Sequence, residues 1–307
     1  MKTRSASELA PVYDAVVVGS GYGGGVAASR LSRMGFKVAV LEQGRNWQPG
    51  DFPNTIKARL KATRISGRFL NLGDPTGLYR LSVGRGLTVL SANGLGGGSL
   101  INAGAACRPD LAGLRSAGWP GNVVNDGLML EGFARAEAMF GVEPVPEAER
   151  FAKYAGMRKA ARAADRSVQL PPVTIMHRSG KNPAGLFQNA CEYCGDCYSG
   201  CNAGAKITVG QTYIADAAHH GAEVFSGSRA ESISQADRGW QILVKDQTGA
   251  GGSRQVEADI LVLAAGTMGT TELLLRVLDE GQRFELVGAV RPAHSASIVN
   301  MLGTSAR

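Results

Sequence analysis

The sequence predicts an α/β protein with helices packed on a largely parallel sheet, and three observations carry that expectation. A strand–glycine–helix–strand run fills positions 13–42, and a second strand–glycine–helix junction fills 255–278. Between them, three consecutive glycines precede an apolar run at 96–104.

In the first unit, Ala15-Val16-Val17-Val18 is the apolar, β-branched run of a buried parallel strand. It ends in Gly19-Ser20-Gly21-Tyr22-Gly23-Gly24, a G-x-G-x-x-G turn. Ala27, Leu31 and Met34 then recur on one helical face, so the glycines open a helix. Phe36 to Leu41 reads as a second buried strand with Glu42 at its end. This is a Rossmann-like unit for a dinucleotide. Gly19 allows the tight turn, Gly21 lets backbone approach a pyrophosphate, and Gly24 permits close helix–strand packing. The helix start offers free N–H groups to the phosphates, and Glu42 is placed to accept from ribose hydroxyls.

Beyond Glu42 a long irregular connection is expected, punctuated by Pro49-Gly50, Pro53 and Gly73-Asp74-Pro75. Asn93 to Gly104 follows, where Gly96-Gly97-Gly98 means a sharp turn or backbone lying against something flat. Helices are expected over 127–140 and 147–164, a short one over 211–219, and strands over 222–225, 230–234, 240–245 and 255–263. The last strand runs into Ala264-Ala265-Gly266-Thr267-Met268-Gly269 and a helix over 270–278.

Cys191, Cys194, Cys197 and Cys201 have the C-x₂-C-x₂-C-x₃-C spacing of a bacterial ferredoxin [4Fe–4S] run, without its usual following proline. The fourth ligand is Cys201 or another cysteine, of which Cys107 is the remaining one. Structural zinc, or two small-loop disulfides, are the alternatives.

The net charge is +7 on 307 residues, with 44% hydrophobic residues and five cysteines. The charge is scattered except at 52–73, an acid-free stretch holding Lys57, Arg59, Lys61, Arg64 and Arg68. That run is a solvated face or, on the sharper reading, a peripheral contact for an anionic membrane surface. Nucleic-acid motifs and interleaved aromatics are absent, so nucleic acid is not an expected partner. Residues 1–11 lack the apolar core of a signal peptide and no run is long enough to span a bilayer, so a cytoplasmic location is expected.

Together the stretches 16–31, 38–44, 93–104 and 261–276 resemble the glucose–methanol–choline (GMC) oxidoreductases, and within them the cholesterol-oxidase-like branch. The resemblance implies FAD as cofactor, with Gly19, Gly21, Gly24 and Glu42 holding its ADP half. Gly97, Gly98, Ser99 and Asn102 would then lie along the isoalloxazine, with Gly266 closing the pocket. A nicotinamide-binding domain would have no need of the 93–104 tract.

The implied division is 12–108 and 208–286 as the two parts of the FAD-binding domain, 109–207 as an inserted helical and cysteine-loop segment, and 287–307 as a divergent tail. The implied chemistry is oxidation of a sterol or other bulky alcohol to a ketone or aldehyde, with hydride passing to the flavin. The motifs name no electron acceptor. Similar cysteine runs accompany the cholesterol-oxidase-like branch, which favours the cluster reading.

The family's catalytic histidine lies in a later segment, and His177, His219, His220 and His294 do not match its context. No catalytic residue is therefore carried over. The sequence is expected to be the amino-terminal part of such an enzyme, as from a truncated or frame-shifted gene. The alternatives are a catalytically inactive flavin-binding fragment and a flavin/iron–sulfur electron-transfer module.

Overall fold

The computed structural model describes residues 1–125, 127–237, 239–249 and 252–279. Positions 280–286 of the second cofactor-binding part, the divergent tail at 287–307 and His294 lie outside the described residues.

From the amino terminus, β1 (Val12–Val18) leads through α1 (Tyr22–Arg33) to β2 (Val38–Glu42). A short helix α2 (Ile56–Lys61) precedes four strands: β3 (Thr63–Gly67), β4 (Leu70–Gly73), β5 (Tyr79–Val83) and β6 (Thr88–Ala92). The helices α3 (Leu111–Ser116), α4 (Gly121–Asn125), α5 (Leu128–Phe140) and α6 (Ala152–Ala163) follow. Two-residue strands β7 (Gly180–Lys181) and β8 (Phe187–Gln188) precede the cysteine loop. The chain then forms α7 (Tyr213–His219), β9 (Glu223–Ser226), β10 (Ser228–Gln235), β11 (Trp240–Asp246), β12 (Ser253–Leu263) and α8 (Gly266–Asp279).

The main sheet has the order β10-β11-β12-β1-β2-β9. The four strands from β12 to β9 run parallel, while β10, β11 and β12 pair antiparallel. Alternate residues of β1 point to opposite faces. Ala15 and Val17 enter a core with Val38, Val40 and Ile214, while Val16 and Val18 enter another with Leu41, Phe225 and Leu273. Both faces are covered, which is why these strands read as unbroken apolar runs. Helix α1 sits close to its neighbours because Gly25 has no side chain; a Cβ there would stand 2.4 Å from Val209 Cγ1. Ser29 and Arg33 of α1 both donate to Asp216 of α7, tying the two helices together.

The expectation of an irregular connection after Glu42 is corrected. Residues 63–92 form a second sheet in the order β4-β3-β5-β6, with β3 and β5 parallel. Its signal is weak in the sequence because little of it is buried: β3 is half-buried throughout and β4 is exposed throughout. Leu70-Asn71-Leu72 and Tyr79-Arg80-Leu81-Ser82-Val83 do alternate, but the strands are four or five residues long and only Tyr79 among them is buried, so each run is too short to stand out from a loop. Among the described residues no helix is long and apolar enough to cross a membrane.

Candidate cofactor site

The carboxyl ends of β1, β2 and β12 meet at one edge of the main sheet, the place where open α/β sheets bind ligands. Gly19 N–H donates to Leu41 O at 2.8 Å and Ala264 N–H donates to Val18 O at 2.8 Å, so the three strand ends are joined by backbone. They open on a cavity of about 600 Å³ lined by Gly19, Gly21, Glu42, Gly97, Gly98, Asn102 and Gly266.

The glycines there divide into two kinds. Gly19 has φ +99°, and a Cβ on it would lie 2.4 Å from Ala264 O. A Cβ on Gly24 would lie 1.9 Å from Gly19 O, so Gly24 serves the packing of α1 rather than the cavity wall, which it does not join. Gly21, in contrast, would place a Cβ 4.0 Å from Gly97 Cα and no closer to anything else, and Gly98 and Gly266 face open space. The two glycine tracts also touch: a Cβ on Gly97 would stand 2.8 Å from Gly21 Cα.

Glu42 joins these parts. Its Oε2 accepts from Ser20 N–H at 3.2 Å and from Ser20 Oγ–H at 2.5 Å, and its Oε1 accepts from Gly44 N–H at 2.8 Å. Ser20 Oγ in turn accepts from Gly96 N–H at 3.0 Å, so one carboxylate links the β1–α1 turn to the triple-glycine loop. Burial pushes the Glu42 carboxyl above its usual range, opposed by the bonds from Ser20, Gly44 and Gly94.

Ser99 stands apart from the other expected site residues. Its hydroxyl is buried, donates to Gly96 O at 2.6 Å and accepts from Val209 N–H at 3.0 Å, and it does not line the cavity. Asn102 does line it and donates to Tyr22 OH at 2.6 Å.

Several residues that the sequence did not single out complete the cavity wall. Glu272 of α8 accepts from Arg80 of β5 at 2.8 Å and from Arg229 of β10 at 3.0 Å, and Arg276, one helical turn on, lines the same wall. Arg276 Nε is buried without a hydrogen-bond partner. These side chains come from positions 80, 229, 272 and 276, and no local pattern joins them. Tyr22 and Ser20 were findable, since both fall inside the first glycine motif.

The cluster expectation is not supported. Cys191, Cys194, Cys197 and Cys201 line one largely apolar cavity of about 280 Å³ with Phe151 and Tyr193. Among the described residues, however, no group of three or more Cys, His, Asp or Glu side chains is arranged to hold a metal. Burial pushes the Cys191 and Cys197 thiols up. Backbone bonds hold the loop instead: Cys191 N–H to Met176 O at 2.8 Å, and Gly204 N–H to Cys201 O at 3.2 Å. As the four thiols are arranged here, neither a [4Fe–4S] cluster nor zinc is supported, and the electron-transfer module that depended on a cluster is left without support.

Among the described residues no histidine lines the 600 Å³ cavity. His177 Nδ1 lies 3.0 Å from Tyr193 OH in the cysteine loop. His220 Nδ1 donates to Asp216 O at 2.8 Å, at the end of α7 next to His219.

The family model described as GMC oxidoreductase, in its amino-terminal domain, matches residues 13–277. A cholesterol oxidase of Mycobacterium tuberculosis is 30% identical, over 95% of this chain and 53% of its own. A long-chain-alcohol oxidase of Arabidopsis thaliana is 28% identical, over 85% of this chain and 34% of its own. The chain therefore spans about half, or less, of the length of these relatives. The solved structure of an FAD-dependent oxidoreductase from Chaetomium thermophilum superposes with a TM-score of 0.58 at 18% identity, covering 87% of this chain and 49% of that one, which shows a shared fold. Matched over most of its length, the chain belongs to the GMC oxidoreductase family.

Proposed function

We propose that this chain holds FAD in the cavity at the carboxyl edge of the parallel strands, as the cofactor-binding part of an oxidoreductase that converts a CH–OH donor to a carbonyl. The observation that carries this reading is the meeting of three side-chain-free stretches, Gly21, Gly97–Gly98 and Gly266, around one cavity beside Glu42. FAD, when bound, supplies an acceptor for hydride. The chain's own part is to bind and orient. The first N–H groups of α1, beside Gly21, would hold the pyrophosphate. Glu42, already accepting from Ser20, Gly44 and Gly94, fixes the turn beside which the ribose would lie. Gly97 and Gly98 let a flat ring lie against backbone, and Tyr22 steadies Asn102 beside it.

Support for the substrate class comes from the relatives: one is a cholesterol oxidase and another a long-chain-alcohol oxidase, so a sterol or another bulky alcohol is the donor we assign. The test of the cofactor reading is reconstitution with FAD or NAD. Uptake of FAD at about one per chain, with quenched flavin fluorescence, is expected; uptake of NAD in its place overturns the reading.

A second reading, a flavin-binding unit without turnover of its own, is favoured by the absence of a histidine from the cavity wall among the described residues. Alcohol oxidation needs a base within about 2.6–3.2 Å of the hydroxyl, or one water away, and losing it costs a factor of about 10²–10⁴. The FAD-loaded chain is expected to oxidise cholesterol or long-chain alcohols no faster than free flavin. Robust turnover, abolished by His177→Ala, would refute this.

Two finer assignments complete the reading. A reducing, cytoplasmic setting suits the free thiols at 107, 191, 194, 197 and 201. Peripheral contact with an anionic surface is supported by Ile56 and Leu60, 76% and 71% exposed one turn apart on α2, beside the basic residues of 52–73. Co-sedimentation with phosphatidylserine vesicles, lost at high salt, is the expected result.

A further inference from the structure

Lys206 is 2% exposed, an unusual place for a lysine. An ammonium has three donors, and here each finds a carbonyl: Leu100 O at 3.1 Å, Cys197 O at 3.0 Å and Asn102 O. Two of these acceptors flank Ile101 in the loop whose Gly97, Gly98 and Asn102 line the large cavity. The third lies in the cysteine loop. Among the described residues no carboxylate accepts from the ammonium, so its charge is solvated chiefly by carbonyl dipoles, with Cys197 and Cys201 nearby. Burial draws its pKa down to about 8, which leaves it mainly cationic at pH 7.

We infer that Lys206 is a positioning residue for the flavin-facing loop, which it holds from behind while placing a fixed positive charge one peptide group from the cavity wall. This rests on the FAD reading above. The mechanical part follows from geometry: turning the carbonyls of Leu100 and Asn102 toward one point fixes the peptide planes on either side of Ile101, and with them the surface offered to the ring. The electrostatic part follows from sign. Reduction adds electron density to the flavin, so a cation held behind the wall favours the reduced form over the oxidised one.

The test uses the full 307-residue chain and reads two quantities, FAD affinity by fluorescence quenching and the two-electron midpoint potential by dye equilibration. Lys206→Met keeps the apolar stem but takes the donor from the Leu100 and Asn102 carbonyls and removes the charge, while Cys197 O keeps the Gly200 N–H at 3.3 Å. It is expected to weaken FAD binding about tenfold. Its ratio of reduced to oxidised affinity should also fall about tenfold, a midpoint drop of about 30 mV. Lys206→Arg keeps the charge in a planar fork that does not match three converging carbonyls. It should weaken FAD binding while leaving the midpoint in place.

A merely structural lysine would lower affinity in both variants and move the midpoint in neither, so an unchanged midpoint in Lys206→Met overturns the inference. A midpoint drop of equal size in both variants overturns it as well. Should Lys206→Met lose its thermal transition, Lys206→Gln, which removes the charge but keeps amide donors, decides: a midpoint drop of about 30 mV upholds the inference, and an unchanged midpoint overturns it. Wild-type protein that takes up no FAD overturns the cofactor reading and this inference with it. FAD held equally by all three proteins overturns this inference alone.

Discussion

Exchanging alanine for glycine at two positions three residues apart should separate binding from folding. Gly21 and Gly24 belong to the same motif, yet their surroundings differ sharply. At Gly21, φ is −69° and the nearest neighbour of an added Cβ is Gly97 Cα at 4.0 Å, so alanine fits the unliganded chain. By restricting the unfolded chain, Gly21→Ala should stabilise it by up to about 1 kcal/mol. The methyl nevertheless projects where a pyrophosphate would approach the backbone. Loss of a single N–H bond to a charged oxygen costs about 1.5–3 kcal/mol, or about ten- to a hundredfold in FAD affinity.

At Gly24 the same methyl would lie 1.9 Å from Gly19 O and 3.3 Å from Ala264 Cβ, so the start of α1 must move off β1. Overpacking of this kind costs about 1–3 kcal/mol, which lowers Tm by roughly 2–12 °C in a domain of this size. Thermal melting of the unliganded chains and FAD titration at 25 °C read the two effects separately. A Gly21→Ala chain that binds FAD like wild type would refute the assignment of that edge to the pyrophosphate. A Gly24→Ala chain that melts like wild type would refute the packing argument.

Two of the buried carboxylates, Asp216 and Glu42, should show opposite pH signatures. Asp216 is drawn upward by burial, but the bonds from Arg33 and Ser29 and the charges of Arg33 and His220 outweigh that, and its pKa falls below the ordinary 3.8. Its contribution is therefore full above pH 3.8 and lost as pH falls through the lowered value; Asp216→Asn should cost about 2–3 kcal/mol at pH 7 and progressively less in acid, as denaturant melts would show. Glu42 has a raised pKa, so its contribution is full below the ordinary 4.5 and declines as pH rises through the folded value; Glu42→Gln should remove that slope. The same substitution leaves either Gly44 N–H or Ser20 N–H facing an amide NH₂, at about 1–3 kcal/mol. Its FAD content after purification should fall at least tenfold. Glu272→Gln should loosen the contact between β5, β10 and α8 by about 1 kcal/mol, read as a lower melting temperature that high salt largely erases.

What the sequence determined by itself is what local chemistry determines. The unbroken apolar run ending at Val18, the glycines that follow it and the acid closing the next strand fix a strand–helix–strand unit, because strand period, turn freedom and helix capping act within a few residues. The junction at Ala264–Gly266 was legible for the same reason. Exposed strands such as β4 were not, because four residues ending in a glycine are too short a run to set apart from a loop. Nor does spacing set the direction of a side chain. The cysteines at 191–201 keep a ligating interval in the chain but no ligating geometry in space, and Ser99, inside the glycine tract, turns its hydroxyl toward Val209.

Tertiary structure alone decided which distant groups share a wall. It brought Gly96 to Ser20 and so to Glu42, set Arg80 and Arg229 on Glu272, and closed three carbonyls on Lys206. Each of these depends on where whole elements dock. Docking is driven by burial of apolar faces, which is non-directional, and the polar contacts it brings together are specified only once those faces have packed.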